Sequence, residues 1–163
     1  MKKHLFIPDK LDYVKGKRPD VPCILCAIVN RDPAVVDSSV FRDSLMTVAL
    51  NLYPYNPGHL MIFPNRHIEH IYELSRSEIL TVHRLTERSI HILEELYKPH
   101  GYNIGYNLGK GSGASIAHLH RHIVPRYKNE LGFLDILSGS KIYVENPKNV
   151  LEKIRRSFKQ QMD

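Results

Sequence analysis

The segment His118-Leu119-His120-Arg121-His122 gathers three histidines in five residues of a 163-residue chain. Histidine titrates nearest neutral pH of the common side chains, so its unprotonated ring nitrogen serves as nucleophile, proton carrier or metal ligand. Along a β-strand, residues i, i+2 and i+4 share a face. A strand over residues 118–124 would project the three imidazoles together, with neighbouring Cα atoms roughly 6.5–7 Å apart. Leu119, Arg121 and Ile123 then face the other way. Three imidazoles make poor core material, because each needs a hydrogen-bond partner once buried. Two chemistries fit: a metal ion held by all three, or phosphate chemistry in which a histidine acts directly.

The preceding loop, Gly109-Lys110-Gly111-Ser112-Gly113-Ala114-Ser115, favours phosphate. Its glycines let main-chain N–H groups approach an anion, while Lys110, Ser112 and Ser115 supply charge and hydroxyl donors. It is not a P-loop, since Lys110 is not followed by the required helix pattern. A second chemical feature is Cys23-Ile24-Leu25-Cys26, which contains the only two cysteines. One pair makes no disulfide framework. It reads as half of a tetrahedral metal site, as a redox pair, or as two plain structural residues.

The elements that must position these groups are legible in outline. Residues 40–51 have the β-branched and apolar content of a strand. A reversal at Tyr53-Pro54-Tyr55-Asn56-Pro57-Gly58 leads to a second strand over 59–63, giving an antiparallel hairpin. Ser75-Arg76-Ser77-Glu78 is a capping box. It opens a helix whose apolar positions Ile79, Val82, Leu85, Ile90, Leu93 and Leu96 run to about Tyr97, before Pro99 and Gly101. Residues 102–108 form another strand. Asn146-Pro147 starts a last helix carrying Val150, Leu151, Ile154 and Phe158. The fold class is therefore α+β, with an antiparallel sheet of about five strands, one long helix and a C-terminal helix. The chain reads as a single domain over 1–163, with an N-terminal arm over 1–22 and a C-terminal helical extension over 142–163.

The composition is that of a soluble globular protein, 42% hydrophobic and 25% charged. No run of 18 apolar residues predicts a membrane span, and no signal peptide is expected, so a cytoplasmic location follows. The +6 charge suits an anionic partner. Nucleic acid is not the expected one, because the basic residues sit in short scattered groups without interleaved aromatics.

Residues 113–126, with their alternating histidines, resemble the signature of the histidine triad (HIT) superfamily of nucleotide hydrolases and transferases. The likeness extends to Asn51, Pro57-Gly58-His59-Leu60-Met61-Ile62 and Pro64-Asn65-Arg66-His67, and covers roughly residues 20–140. The diadenosine polyphosphate hydrolase and phosphorylase branch is the most similar, through residues 11–16, 132–133 and 139–141. The resemblance implies that His120 attacks the α-phosphate of a purine nucleotide or dinucleoside polyphosphate, forming a nucleotidyl-histidine intermediate. His122 would bond phosphate oxygens, and His59 would stand beside the nucleophile. Asn51 and Asn107 would lie near the ribose, and Gly113 and Ser115 near the phosphate. By the same likeness, Cys23 and Cys26 would join His67 and His118 in a closed, structural zinc site, with His70 the next ligand to consider. His83 and His91 are surface or packing residues, and a homodimer is expected. Arg121 replaces a usually hydrophobic residue, and Ala114 stands where many relatives carry glutamine. Two other readings remain open: a nucleotide-binding protein with incidental turnover, and a metalloenzyme with the three histidines on one zinc.

Overall fold

The computed structural model describes residues 19–112, 114–128 and 146–160, apart from the side chain of Lys110. A short helix α1 (Ile24–Asn30) leads into strands β1 (Ser39–Arg42), β2 (Met46–Leu50) and β3 (Leu60–Pro64). Helix α2 (Arg76–Tyr97) follows, then β4 (Gly101–Tyr106), β5 (Arg121–Arg126) and α3 (Pro147–Gln160). The sheet order is β1-β2-β3-β5-β4, and every pair is antiparallel. This is the expected α+β architecture.

Register assigns the two faces. Leu60 pairs with Ile123, Met61 with His122, and Ile62 with Arg121. Val48, Leu50, Leu60, Ile62 and Ile123 therefore meet Val82, Leu85, Ile92 and Leu93 of α2 and Val150, Ile154 and Phe158 of α3 in the main core. On the opposite face Ala49, Met61 and Phe63 pack against Leu25 and Ile28 of α1. His122 shares that second face with Met61, so the smaller cluster floors the histidine site.

Several boundaries differ from expectation. Residues 40–51 are two strands, because Asp43 Oδ1 accepts the Leu45 and Met46 N–H groups at 2.8 and 2.7 Å and turns the chain. The last strand begins at Arg121 instead of His118, since the Leu119 N–H bonds the Ile68 carbonyl at 2.6 Å, outside the sheet. It runs through Pro125 to Arg126, where Pro125 lies opposite Tyr102. Strand β4 ends at Tyr106, not Leu108. Helix α1 was not anticipated, and Ile79, expected on the buried face of α2, is 51% exposed. Residues 1–18 of the expected arm, Gly113, residues 132–133 and 139–141, and residues 142–145 and 161–163 of the expected C-terminal extension lie outside the described residues.

Both predicted caps form. Ser75 Oγ accepts the Glu78 N–H, and Glu78 Oε2 accepts the Ser75 N–H at 2.7 Å. Asn146 Oδ1 accepts the Lys148 N–H at 2.9 Å. Glu78 also takes two bonds from Arg66, Nε and Nη2 each at 2.8 Å, tying the start of α2 to the segment after β3. The Arg66 fork, with the Ser75 bonds beside it, holds the Glu78 carboxyl down at about 2, against an ordinary 4.5. This contribution to stability is complete above pH 4.5 and disappears as pH falls through 2. Arg66 is half exposed, so water screens the pair and keeps its contribution modest. Glu78→Gln should lower the denaturant midpoint at pH 7, with the gap from wild type narrowing steadily between pH 4.5 and 2.

Candidate functional site

The turn between β2 and β3 delivers His59 into the centre of the molecule. Gly58 before it adopts φ +79°, and a Cβ there would sit 2.8 Å from Leu93 Cδ2, so only glycine lets the turn pass this close to α2. Asn56 Nδ2 donates to the Pro125 carbonyl at 2.7 Å, and the Tyr127 hydroxyl donates to the Pro57 carbonyl at 3.0 Å. His59 itself is fully buried.

Two donors converge on His59 Nδ1: the Tyr55 main-chain N–H at 3.1 Å and the Asn51 amide at 3.3 Å. The Asn51 amide orientation is fixed, because its Oδ1 accepts the Tyr53 N–H at 2.9 Å. Nδ1 of His59 is therefore an acceptor, and its proton sits on Nε2. That Nε2–H donates to His122 Nδ1 at 2.9 Å, which in turn puts the His122 proton on its own Nε2. The His122 Nε2 lies 3.4 Å from the Asn107 amide nitrogen.

His120 stands beside this pair, its ring centroid 4.7 Å from that of His122 and nearly perpendicular to it. Its Nδ1–H donates to the His118 carbonyl at 2.7 Å. The lone pair is thus on Nε2. Burial pulls His120 below the usual histidine value, against the opposing pull of the His118 carbonyl. Burial, with the adjacent His120, takes His122 down to about 4. Both rings are accordingly unprotonated at neutral pH.

Arg121 points to the α2 face, where it donates to Thr86 Oγ1 at 3.2 Å and lies over the Tyr106 ring. Its departure from a hydrophobic residue is absorbed behind the sheet, away from the histidines. Ser115 is exposed and lines a cavity of about 280 Å³ with Cys23 and His67.

His118 does not join its two companions. Its Nε2–H donates to the Pro64 carbonyl at 3.0 Å, and its Nδ1 turns to Cys23 Sγ and Cys26 Sγ, each 3.4 Å away. His67 Nδ1 lies 3.3 Å from Cys26 Sγ. The four ligand atoms fall within 4.8 Å of one another. Tetrahedral zinc with bonds of about 2.3 Å to sulfur and 2.0–2.1 Å to nitrogen sets adjacent S and N atoms roughly 3.5 Å apart. The donor types and spacings match that geometry. Burial, and then the neighbouring Cys23, push the Cys26 thiol up to about 11, so a cation is needed to hold it as thiolate. His70 stands outside the cluster, stacked on Tyr72 at 4.9 Å. His83 and His91 are exposed on α2, each near a glutamate.

The main-chain groups that orient these rings (Tyr55 N–H, His118 C=O, Pro64 C=O) had no sequence signal, since every residue carries them. Tyr55 itself was legible only as part of a turn.

A family model described as the HIT domain matches residues 33–129, more than half of the chain. The chain belongs to the HIT family. The matched region contains Asn51, His59, His67, Asn107, His118, His120 and His122, and leaves out Cys23 and Cys26. Among curated HIT relatives, the AP-4-A phosphorylase of Mycobacterium tuberculosis is 42% identical over 104 residues, 63% of this chain and 53% of the relative. The asymmetrical bis(5'-nucleosyl)-tetraphosphatase of Schizosaccharomyces pombe is 30% identical over 115 residues, 70% of this chain and 60% of the relative. The chain thus spans little more than half the length of these two relatives. Their names fit the diadenosine polyphosphate branch. A Zn-bound histidine triad protein of Mycobacterium smegmatis superimposes with a TM-score of 0.70 at 22% identity, over 86% of this chain and 96% of that one, and shares its fold. No helix among the described residues is long and apolar enough to cross a membrane.

Proposed function

We propose that this HIT protein cleaves dinucleoside polyphosphates at an α-phosphate through a nucleotidyl-histidine intermediate on His120. The observation that carries the reading is the Nδ1–H of His120 held on the His118 carbonyl at 2.7 Å, which leaves Nε2 as a fixed, unprotonated nucleophile. Its lone pair forms the N–P bond while the P–O bond to the leaving nucleotide breaks, and that oxygen departs with the electron pair. Water or inorganic phosphate then attacks phosphorus, its proton passing to solvent, and the N–P pair returns to Nε2.

His122 Nε2–H and the Asn107 amide, whose nitrogen lies 3.4 Å away, would both turn to one phosphate oxygen as acceptor. Asn51 and the glycine-rich loop through Gly113 and Ser115 complete the nucleotide site in this proposal. The two named relatives, a phosphorylase and a tetraphosphatase, support the substrate class. The turn of His118 toward the cysteines counts against one ion shared by His118, His120 and His122.

Cys23, Cys26, His67 and His118 would hold zinc, supported by their spacing and by the Zn-bound relative. With four protein ligands the ion would cross-link three segments and leave no position for water. A cytoplasmic location belongs to the same reading, as reduced thiols suit a reducing compartment. So does a homodimer, with the exposed Ile104 of edge strand β4 at the contact; sedimentation velocity decides it.

The test is product analysis with diadenosine tetraphosphate. AMP plus ATP identifies water as acceptor; ADP plus ATP formed only with phosphate identifies phosphorolysis. An intact substrate under both conditions overturns the reading.

A further inference from the structure

One aromatic ring near the histidines has no part in the chemistry above. Tyr55 lies flat on His59, with ring centroids 5.1 Å apart and planes 18° from parallel. It also leans toward His122, at 6.2 Å and 46°. The same residue supplies the main-chain N–H that fixes the His59 tautomer. Tyr55 is 52% exposed, whereas His59 and His122 beneath it are buried.

We infer that Tyr55 is a positioning residue for phosphoryl transfer, acting through His59 on His122. Ring and N–H work on one target. The stacked ring fixes the plane of His59, and the N–H occupies Nδ1, so the remaining proton must lie on Nε2 and point at His122 Nδ1. His122 is thereby kept with its own proton on Nε2, ready to donate to a phosphate oxygen. Were His59 to turn over, His122 would lose its partner on Nδ1 and its second nitrogen would no longer be a fixed donor. The surrounding turn is built to hold this arrangement, since Asn56 and Pro57 are each tied by hydrogen bonds to β5 or the residue after it.

This inference rests on the proposed role of His120 and His122, and the test separates the two. Tyr55→Phe keeps the ring and should retain kcat within about twofold. Tyr55→Ala removes it and should lower kcat roughly tenfold or more, with KM within about threefold, because misplacement of a donor is felt mainly in the transition state. Long-range 1H–15N correlation of the imidazoles supplies a readout that a merely structural role would not move. His59 and His122 should each show the single Nε2–H tautomer in wild type and Tyr55→Phe; in Tyr55→Ala, which keeps the main-chain N–H but frees the His59 ring to turn over, mixed tautomers should appear. The inference is overturned if Tyr55→Ala leaves kcat and tautomers unchanged, or raises KM alone, or if Tyr55→Phe falls as far as Tyr55→Ala. Full turnover by His120→Ala would instead overturn the underlying mechanism.

Discussion

His120→Ala will lower kcat for dinucleoside polyphosphate cleavage by roughly ten-thousand-fold, while nucleotide affinity changes less than about tenfold. The size of the effect follows from the tautomers. His122 is the nearest other imidazole, but its Nδ1 accepts the His59 proton and its Nε2 carries a proton of its own. Neither nitrogen has a lone pair to offer phosphorus, so no neighbour substitutes for the lost nucleophile. His59 is equally committed, with Nδ1 filled by two donors and Nε2–H given to His122. Affinity should survive, because the groups proposed to hold phosphate and ribose (His122, Asn107 and Asn51) are untouched. Rapid quenching of wild type with labelled substrate should trap a nucleotidyl adduct on position 120, and the variant should form none. Turnover at the wild-type rate, or an adduct on another residue, would end the proposal.

What the sequence disclosed, and what it hid, divides along physical lines. Apolar periodicity and capping signals act locally, so α2 and α3 appeared at the expected places, with Ser75 and Asn146 as caps. The β2–β3 hairpin was legible from the Pro- and Gly-rich turn between its strands. The break inside residues 40–51 was not, because it depends on one aspartate side chain capturing two amides. The alternating histidines suggested one shared face, yet long-range bonds decide otherwise. Leu119 is anchored to Ile68, and His118 is drawn to cysteines more than 90 residues away in sequence. A period-two pattern reports the preference of a strand; it carries no information about what lies across from it. The four residues grouped as metal ligands came from family resemblance, and the structure brings all four together. The orientation of each imidazole needed main-chain partners that only coordinates supply.

Stripping metal from the purified protein, or replacing both Cys23 and Cys26 by serine, should lower the melting temperature by roughly 10–20 °C. That range corresponds to about 5 kcal/mol for a chain of this size, a fraction of what a structural zinc site can contribute. The basis is geometric. The four side chains come from the start of α1, the segment after β3 and the approach to β5, so the ion would join these segments alongside the Leu119–Ile68 and His118–Pro64 hydrogen bonds and a small apolar cluster. The consequence for catalysis is indirect but calculable in direction. His118 is the residue whose carbonyl sets the proton of His120, and its ring is held between Pro64 and the two sulfurs. Releasing the ring loosens the carbonyl, so kcat should fall in the metal-free protein by less than in His120→Ala. Elemental analysis of the native protein should find about one zinc per chain, lost on acidification as the thiolates and imidazoles protonate. Protein that purifies without metal and melts unchanged in the presence of chelator would reduce the four residues to a hydrogen-bonded cluster. In that case the His118 ring would be held by its bonds to Pro64 and the two sulfurs without an ion, and the cysteine pair would bear on the rate only through those bonds.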